Sequence, residues 1–297
     1  MNAAPAPSAP DREAVPERVG VLGGGRMGAG IAHAFLLAGA EAAVVERDRT
    51  SADAARARIL RAVEASIERG TTTLSLETVA PRLHVGEDLD VFAHVGLAIE
   101  AVPEDLVTKH EALFAVETVL PAGASLASNT SSLSIDDLAV VLKRPEQFLG
   151  LHFFNPVPAS LLVEVVTGTA TDPRLVAQAQ DWVRALRKTP VTVADAPGFA
   201  SSRLGVTLGL EAIRMLEDGV ASAADIDAAM VLGYKHPMGP LRLTDLVGLD
   251  VRLGVAEYLA DRLGPRFEPP DLLRRLVAEG KLGRKTGQGF YTWDEAQ

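Results

Sequence analysis

The sequence predicts an α/β protein in which an N-terminal, doubly wound, mostly parallel sheet is followed by an all-helical C-terminal domain. Short apolar runs typical of strands alternate with helical patterns over the first two thirds of the chain. That alternation favours a parallel sheet covered by helices on both faces. A glycine-rich turn joins the first strand to the first helix, as in a βαβ unit. After residue 193, helical patterns alone precede the C-terminal tail.

The 297 residues suit two domains of about 150 residues each. We expect residues 1–16, rich in Ala and Pro, to be a disordered tail, because such a tract buries too little apolar surface to order itself. Residues 17–193 are expected to form the sheet domain and residues 194–297 the helical domain.

Composition excludes several classes of function. A net charge of −10 and a pI near 5.1 argue against a nucleic-acid surface, which is usually basic. The chain has no cysteine, which excludes disulfides and thiol nucleophiles and suits a reducing compartment. No apolar run approaches the roughly 18 residues of a membrane span, and the N-terminus lacks the features of a secretory signal. We therefore expect a cytoplasmic protein without a membrane partner.

The elements follow from apolar periodicity and from the position of glycines. Strands are expected at 19–22, 42–46, 95–102, 124–128, 148–154 and 161–166, and helices at 27–38, 51–69, 104–119 and 135–142. The last two strands are joined by a Pro-containing turn and could pair antiparallel at one edge. In the second domain, helices are expected at 199–218, 223–232, 241–262 and 270–280.

The turn Gly23-x-Gly25-x-x-Gly28 predicts a dinucleotide site, because it follows a strand and opens a helix. Gly23 permits the tight turn, Gly25 lets a pyrophosphate approach the backbone, and Gly28 lets the helix pack against the sheet. Glu46 ends the second strand, where a carboxylate can bind the ribose 2′-hydroxyl. Since this carboxylate repels a 2′-phosphate, NAD is favoured over NADP, although the neighbouring Arg47 could soften that preference. Together these features indicate a Rossmann-type domain.

His152 and Glu164 are ionisable groups in two neighbouring apolar strands. Taken singly, the histidine is more often a hydrogen-bonded core residue, and the glutamate a strand-edge carboxylate that faces water. The turn NPVPAS between the strands could bring both side chains to one face. A carboxylate that orients an imidazole makes a general base suited to remove the proton of an alcohol. Together with a nicotinamide site, this pair predicts an alcohol dehydrogenase.

Polar residues near the expected carboxyl ends of the strands extend this site. Ser134 with Asp137 reads as a helix cap. Ser131 and Ser132 precede it, where ligands bind in open α/β sheets, so a hydroxyl here could hold the substrate oxygen. Asn155 is either a second polar group of the site or a turn-forming residue before proline. A loop histidine near residue 236 has no second ligand at helical spacing, so no metal site is predicted.

Six motifs in order resemble the L-3-hydroxyacyl-CoA dehydrogenase family, which includes bacterial 3-hydroxybutyryl-CoA dehydrogenases. They are GVLGGGRMGAGIA, EAVPEDLVTKHEALF, ASNTSSLSI, GLHFFNPVPASLLVEVV, the segment from GLEAIRMLEDG to LTDLVGLDV, and LGRKTGQGFYTW, within about residues 17–295. The resemblance implies NAD-dependent interconversion of an L-3-hydroxyacyl-CoA and a 3-ketoacyl-CoA, as in fatty acid metabolism. It also implies a helical domain that dimerises and closes over the acyl-CoA.

The resemblance assigns roles by motif position. It implies His152 as catalytic acid/base, Glu164 as its orienting partner, Ser131 at the substrate oxygen, and Asn155 near the nicotinamide. The positions implied to bind NAD are Gly23, Gly25, Met27, Gly28, Glu46, Glu104, Lys109, Ser131 and Asn155. Those implied to contact the substrate are Ser131, His152, Ser202 and Ser66.

The chain departs from the family pattern at two places. Ser202 stands where the family commonly has asparagine, so its substrate contact could run through water or chain-length preference could differ. Ser66 is kept but a later CoA-binding lysine is not, and only Arg69 lies nearby. Two alternatives stay open: a dehydrogenase of a free hydroxy acid of the sugar-acid type, such as one acting on gulonate, and a non-catalytic dinucleotide-binding relative.

Overall fold

The computed structural model describes residues 15–293. Most of the expected tail, residues 1–14, lies outside the described residues. The described residues divide into two compact units, the first ending at Asp195 and the second beginning at Ala196. This division falls two residues after the boundary expected from the sequence, because the last strand of the sheet runs to Ala194.

The first unit is built on one eight-stranded sheet in the order β3-β2-β1-β4-β5-β6-β7-β8. The strands are β1 Arg18–Leu22, β2 Glu41–Val45, β3 Leu83–Gly86, β4 Leu97–Glu100, β5 Ser125–Ser128, β6 Phe148–Phe153, β7 Leu162–Thr167 and β8 Thr189–Ala194. Neighbouring strands are parallel except β6 and β7, which are antiparallel. The strand order reverses between β1 and β4, so this is where an open α/β sheet offers a ligand crevice.

Helices cover both faces of the sheet, as the fold class requires. They are α1 Arg26–Leu37, α2 Arg49–Glu68, α3 Leu76–Val79, α4 Leu106–Val119, α5 Ile135–Ala139 and α6 Pro173–Ala185. Side-chain caps begin several of them: Asp48 accepts from the amide of Ser51, and Ser134 accepts from that of Asp137. The predicted cap at Ser134 is thus confirmed.

The core of the first unit lies between the sheet and its helices. Every residue of β4, β5 and β6 is buried, as expected of central strands covered on both faces. Phe35 of α1 and Ile59 of α2 are fully buried in this core, and each such side chain stabilises the fold by about 2–3 kcal/mol. The ionisable groups that share these strands are therefore largely shielded from solvent.

Three features of the first unit were not predicted. The antiparallel strand β7 is not at the edge, because β8 adds to it in parallel. The short strand β3 occupies the opposite edge, and its four residues carry too little pattern to be recognised alone. Helix α6 begins after the capping residue Asp172 with proline at its first turn, and it buries Leu175, Ala179, Trp182 and Val183 against the sheet.

The second unit is helical, with α7 Ser201–Glu217, α8 Ala223–Ala228, α9 Pro240–Val247, α10 Leu249–Leu263 and α11 Asp271–Ala278. The single helix expected over 241–262 is wrong: Gly248, with φ +108°, interrupts it, and glycine is the residue that adopts this conformation without strain. In place of the single α-helix expected over 223–232, the α-helix ends at Ala228 and is followed by a π-helical turn, Ala229–Gly233.

The C-terminal segment packs onto a buried carboxylate of α9. Asp245 is 1% exposed and accepts hydrogen bonds from the backbone amides of Phe290 and Tyr291 and from Nε1 of Trp293. A Cβ atom on Gly289 would lie 2.2 Å from this carboxylate, so only glycine fits there. The motif GQGFYTW thus completes the second unit.

Candidate active site

His152 and Glu164 meet across the antiparallel pair. They are direct partners in the β6–β7 register, and His152 Nδ1 lies 2.7 Å from Glu164 Oε2. The exposed fractions are 5% for His152 and zero for Glu164. The ring of Phe154 lies 4.3 Å from the imidazole, centroid to centroid. The carboxylate therefore fixes the orientation of the ring and favours a proton on Nδ1.

Glu104 organises the serine-rich turn after β5. Its Oε1 accepts from the amides of Ser131 and Ser132, from both of their hydroxyls, and from the hydroxyl of Thr130, at 2.7–3.2 Å. Partial burial raises the pKa of Glu104, but the charge of Lys109 and these hydrogen bonds outweigh it, so the pKa lies below its ordinary value. Ser131 is thus held in place by a carboxylate that stays ionised.

Lys109 is enclosed between two carboxylates and is not on a solvated helix face. It is 1% exposed, and its Nζ lies 2.7 Å from Glu100 Oε1 and 3.4 Å from Glu104 Oε2. The ammonium also donates to the carbonyl oxygen of Val102 at 3.3 Å. The predicted contact of Lys109 with the cofactor stays a prediction.

Glu100 and Ser128 belong to this network and were missed in the sequence. They are register partners at the carboxyl ends of β4 and β5, and Ser128 Oγ donates to Glu100 Oε2 at 2.6 Å. Glu100 is fully buried and also accepts from the amide of Val102 at 2.7 Å. The available signal was an acid at the end of an apolar strand beside the strand-order reversal.

The glycine-rich turn fits a dinucleotide. Gly23 has φ +91°, and a Cβ atom on Gly28 would lie 1.8 Å from the carbonyl oxygen of Gly23, so α1 can pack this closely only with glycine. A Cβ atom on Gly25 would meet no protein atom within 4 Å, which leaves the backbone open to a pyrophosphate. Glu46 Oε1 accepts from the amide of Gly24 at 2.7 Å and so links the turn to the carboxyl end of β2.

The other predicted site residues lie in different surroundings. Asn155 is exposed in the segment after β6, and Met27 is partly buried in the first turn of α1. Ser66 is 2% exposed, and its Oγ lies 2.9 Å from His33 Nε2. Ser202 lies in the first turn of α7 in the second unit. Their contacts with cofactor or substrate stay predictions.

The residues described, 15–293, include no cluster of three or more His, Cys, Asp or Glu side chains that could hold a metal ion. In the same part of the chain, no helix combines the length and the apolar character that a membrane span needs.

A doubly wound domain with this turn, together with an imidazole–carboxylate pair, defines a dinucleotide-dependent oxidoreductase. Comparison with known families refines the class. Residues 18–196 match the NAD binding domain of 3-hydroxyacyl-CoA dehydrogenase, and residues 198–293 match its C-terminal domain. The chain belongs to the 3-hydroxyacyl-CoA dehydrogenase family. The predicted fold class, the predicted class of enzyme and NAD as cofactor are thereby confirmed.

Individual relatives agree over nearly the whole chain. A 3-hydroxybutyryl-CoA dehydrogenase of Mycobacterium tuberculosis is 42% identical over 281 residues, which cover 93% of this chain and 98% of the relative. The human mitochondrial hydroxyacyl-coenzyme A dehydrogenase is 37% identical, covering 96% of this chain and 94% of its own. The crystal structure of (S)-3-hydroxybutyryl-CoA dehydrogenase from Ralstonia eutropha superposes with a TM-score of 0.89 at 35% identity, covering 95% of this chain and all of that one.

Proposed function

We propose that this chain interconverts an L-3-hydroxyacyl-CoA and the corresponding 3-ketoacyl-CoA, with His152 as acid/base. The observation that carries the proposal is the buried contact of 2.7 Å between His152 Nδ1 and Glu164 Oε2. Because Nδ1 is committed to the carboxylate, the other ring nitrogen, Nε2, is the atom that exchanges a proton with the substrate.

In the oxidative direction, Nε2 of His152 takes the proton of the 3-hydroxyl group while the C3–H bond breaks and the C3–O bond becomes a carbonyl. When bound, NAD supplies the acceptor for the departing hydride. Glu164 stabilises the imidazolium that forms, since the negative charge is already in place and needs no reorganisation. In the reductive direction the same imidazolium returns the proton to the oxygen.

Ser131 is proposed to hold the substrate oxygen, and Asn155 to lie beside the nicotinamide. Glu104 accepts from both the amide and the hydroxyl of Ser131, so the amide fixes the residue, while the hydroxyl would exchange Glu104 for the substrate oxygen on binding. Because the backbone at Ser131 is fixed before the substrate arrives, little entropy is lost when the hydroxyl turns to the substrate, and such preorganisation accelerates a reaction.

The cofactor residues of the chain favour NAD over NADP. The carboxylate of Glu46 lies at the end of β2, beside the glycine-rich turn, where it would accept from a ribose 2′-hydroxyl and repel a 2′-phosphate. The guanidinium of Arg47 is largely exposed and paired with Asp48 at 3.1 Å, so it weakens this preference little.

For the substrate, we propose a short acyl-CoA of the 3-hydroxybutyryl type, because relatives over nearly the full length carry that name. Ser66 and Ser202 are the proposed contacts. The hydroxyl of Ser66 is engaged with His33 and would have to exchange partners on binding. A panel of 3-ketoacyl-CoA chain lengths with NADH and NADPH tests the substrate and the cofactor together.

The direct test is turnover of acetoacetyl-CoA, with gulonate as the comparator for a free hydroxy acid. We expect NADH-dependent reduction that falls by about 10²–10⁴-fold in His152→Gln, which keeps a similar volume and loses the base. NADH binding, measured by fluorescence titration, should survive the change. A variant that turns over like the parent would disprove the role of His152, and turnover of gulonate alone would disprove the CoA substrate.

We also propose a homodimer formed through the helical domain. Leu204 on α7, Val247 on α9 and Val251 on α10 are 45–70% exposed, and burying such side chains favours association. Light scattering of the purified chain tests this, and a monomer at micromolar concentration would contradict it. A cytoplasmic location stays a prediction, which the absence of cysteine favours.

A further inference from the structure

Lys188 is a half-buried lysine at the amino end of β8 that the proposed reaction does not use. Its Nζ donates to the carbonyl oxygens of Val157, at 2.6 Å, and Ser160, at 2.5 Å. Both carbonyls belong to the segment 154–161, which joins β6 to β7. Within residues 15–293, no carboxylate forms an ion pair with Lys188. Its charge is therefore directed at these two carbonyl groups.

The segment 154–161 joins the two halves of the dyad. It leaves β6 one residue after Phe153, the neighbour of His152, and it enters β7 two residues before Glu164. Asn155 lies near its start and is exposed. A displacement of this segment would therefore move Asn155 directly. It would also disturb the adjoining ends of β6 and β7, which carry His152 and Glu164.

Three contacts hold the segment 154–161 in place. Val157 is 2% exposed and packs on Gly30 of α1, where an added Cβ atom would lie 2.8 Å from that of Val157. The carbonyl oxygen of Leu161 accepts from the amide of Thr189 at 2.6 Å. Lys188 is the third contact and the only charged one of these three. A carbonyl without a donor in such partly buried surroundings is costly, and an ammonium satisfies two of them at once.

We propose that Lys188 is a positioning residue for the reaction: its ammonium clamps the segment 154–161, and so fixes Asn155 at the nicotinamide side of the site. This rests on the proposed function only for the role of Asn155. Burial lowers the pKa of Lys188, as expected of an ammonium that is held by carbonyl dipoles and not by a counter-charge.

The test compares Lys188→Met, which keeps the stem and loses the donors, with Lys143→Met, an exposed lysine of the same unit. Hydrogen exchange at the amides of Ala159 and Ser160, which donate to the carbonyl of Pro156, reports the order of the segment. We expect exchange there to rise by about tenfold in Lys188→Met and to be unchanged in the control, since exchange follows local opening. Unchanged exchange would overturn the inference.

A double-mutant cycle then tests whether Lys188 acts through Asn155. Lys188→Met should lower kcat/KM for acetoacetyl-CoA about tenfold in the parent and less than about twofold in Asn155→Ala, because coupled residues are not additive. Equal losses in both backgrounds would overturn the inference. If Lys188→Met does not fold, Lys188→Gln, which retains one donor group, replaces it, and its effect on kcat/KM is compared in the same two backgrounds. A parent without acetoacetyl-CoA turnover would contradict the proposed function, while the exchange measurement would still decide the role of Lys188.

Discussion

Lys109 and Glu100 form a fully enclosed ion pair beneath the candidate active site. The distance from Nζ to Oε1 is 2.7 Å, and the exposed fractions of the two side chains are 1% and zero. Glu100 also accepts from the hydroxyl of Ser128. Because a buried charge is tolerated only when it is paired and hydrogen-bonded, each member of the pair depends on the other.

Removal of the ammonium should destabilise the protein strongly. Lys109→Met leaves Glu100 as a buried carboxylate without a counter-charge, and breaking such a pair costs about 3–5 kcal/mol. Urea unfolding followed by circular dichroism measures this. NADH affinity should also fall, since Glu104 loses the charge that neutralises it.

The double variant Glu100→Gln with Lys109→Met shows whether the loss of stability in Lys109→Met comes from the unpaired charge of Glu100 or from lost packing of the lysine side chain. It removes both charges and should recover part of the stability that Lys109→Met loses, because no unpaired charge remains. Lys143→Met, at an exposed position, should change stability by less than about 0.5 kcal/mol. If the double variant were less stable than Lys109→Met, pairing would not be the source of the effect.

Sequence patterns were sufficient for the fold class and for the glycine-rich turn, because both depend on local periodicity and spacing. The network of Glu100, Lys109 and Ser128 was not predictable in that way. Its members come from two strands and a helix that are brought together only by the order of strands in the sheet. The helical pattern around Lys109, taken by itself, predicts a side chain that faces solvent. The resemblance to the family indicated Lys109 and Glu104, but not Glu100.

The pairing of His152 with Glu164 was expected, but spacing alone left it open. A slip of one residue in the register of β6 and β7 would send the two side chains to opposite faces of the sheet. The register depends on the conformation of the eight residues between the strands, including the anchoring of Val157 on α1. Those contacts are long-range, so the pattern of the two strands does not encode them.

Two glycines of the turn should respond differently to the same change. Gly28→Ala places a methyl group 1.8 Å from the carbonyl oxygen of Gly23, so the first turn of α1 must shift, and we expect a loss of stability of about 1–3 kcal/mol. Gly25→Ala meets no protein atom within 4 Å, so the fold should be unchanged while NADH affinity falls. Thermal unfolding and NADH titration of both variants check this contrast. Equal effects on stability would contradict it.

His33 should make the protein less stable in mild acid. It is 3% exposed, its Nδ1 has no hydrogen-bond partner within the described residues, and burial lowers its pKa from 6.5 to about 4. The unfolded chain then binds a proton that the folded chain refuses, so stability falls as the pH drops from about 6.5 towards 4. Between pH 7.5 and 5 this amounts to about 2 kcal/mol.

The comparison for His33 is His33→Gln, which can still bond to Ser66 but does not titrate. Its unfolding free energy should decline less than that of the parent over the same pH interval, whatever its absolute value. Urea unfolding at pH 5, 6 and 7.5 gives the two slopes. Parallel pH profiles would show that His33 does not carry the acid sensitivity.

The last prediction concerns the carboxylate that orients the base. Glu164→Gln keeps the size of the side chain and loses its charge, so the imidazolium is no longer stabilised and the tautomer of His152 is no longer fixed. We expect kcat for acetoacetyl-CoA reduction to fall by about 10²–10⁴-fold with NADH affinity preserved. Glu164→Asp keeps the charge but withdraws it by one methylene from a contact of 2.7 Å, so its loss should be intermediate. If Glu164→Gln retained more activity than Glu164→Asp, the charge would not be the property that matters, and the histidine would have to be oriented by another group.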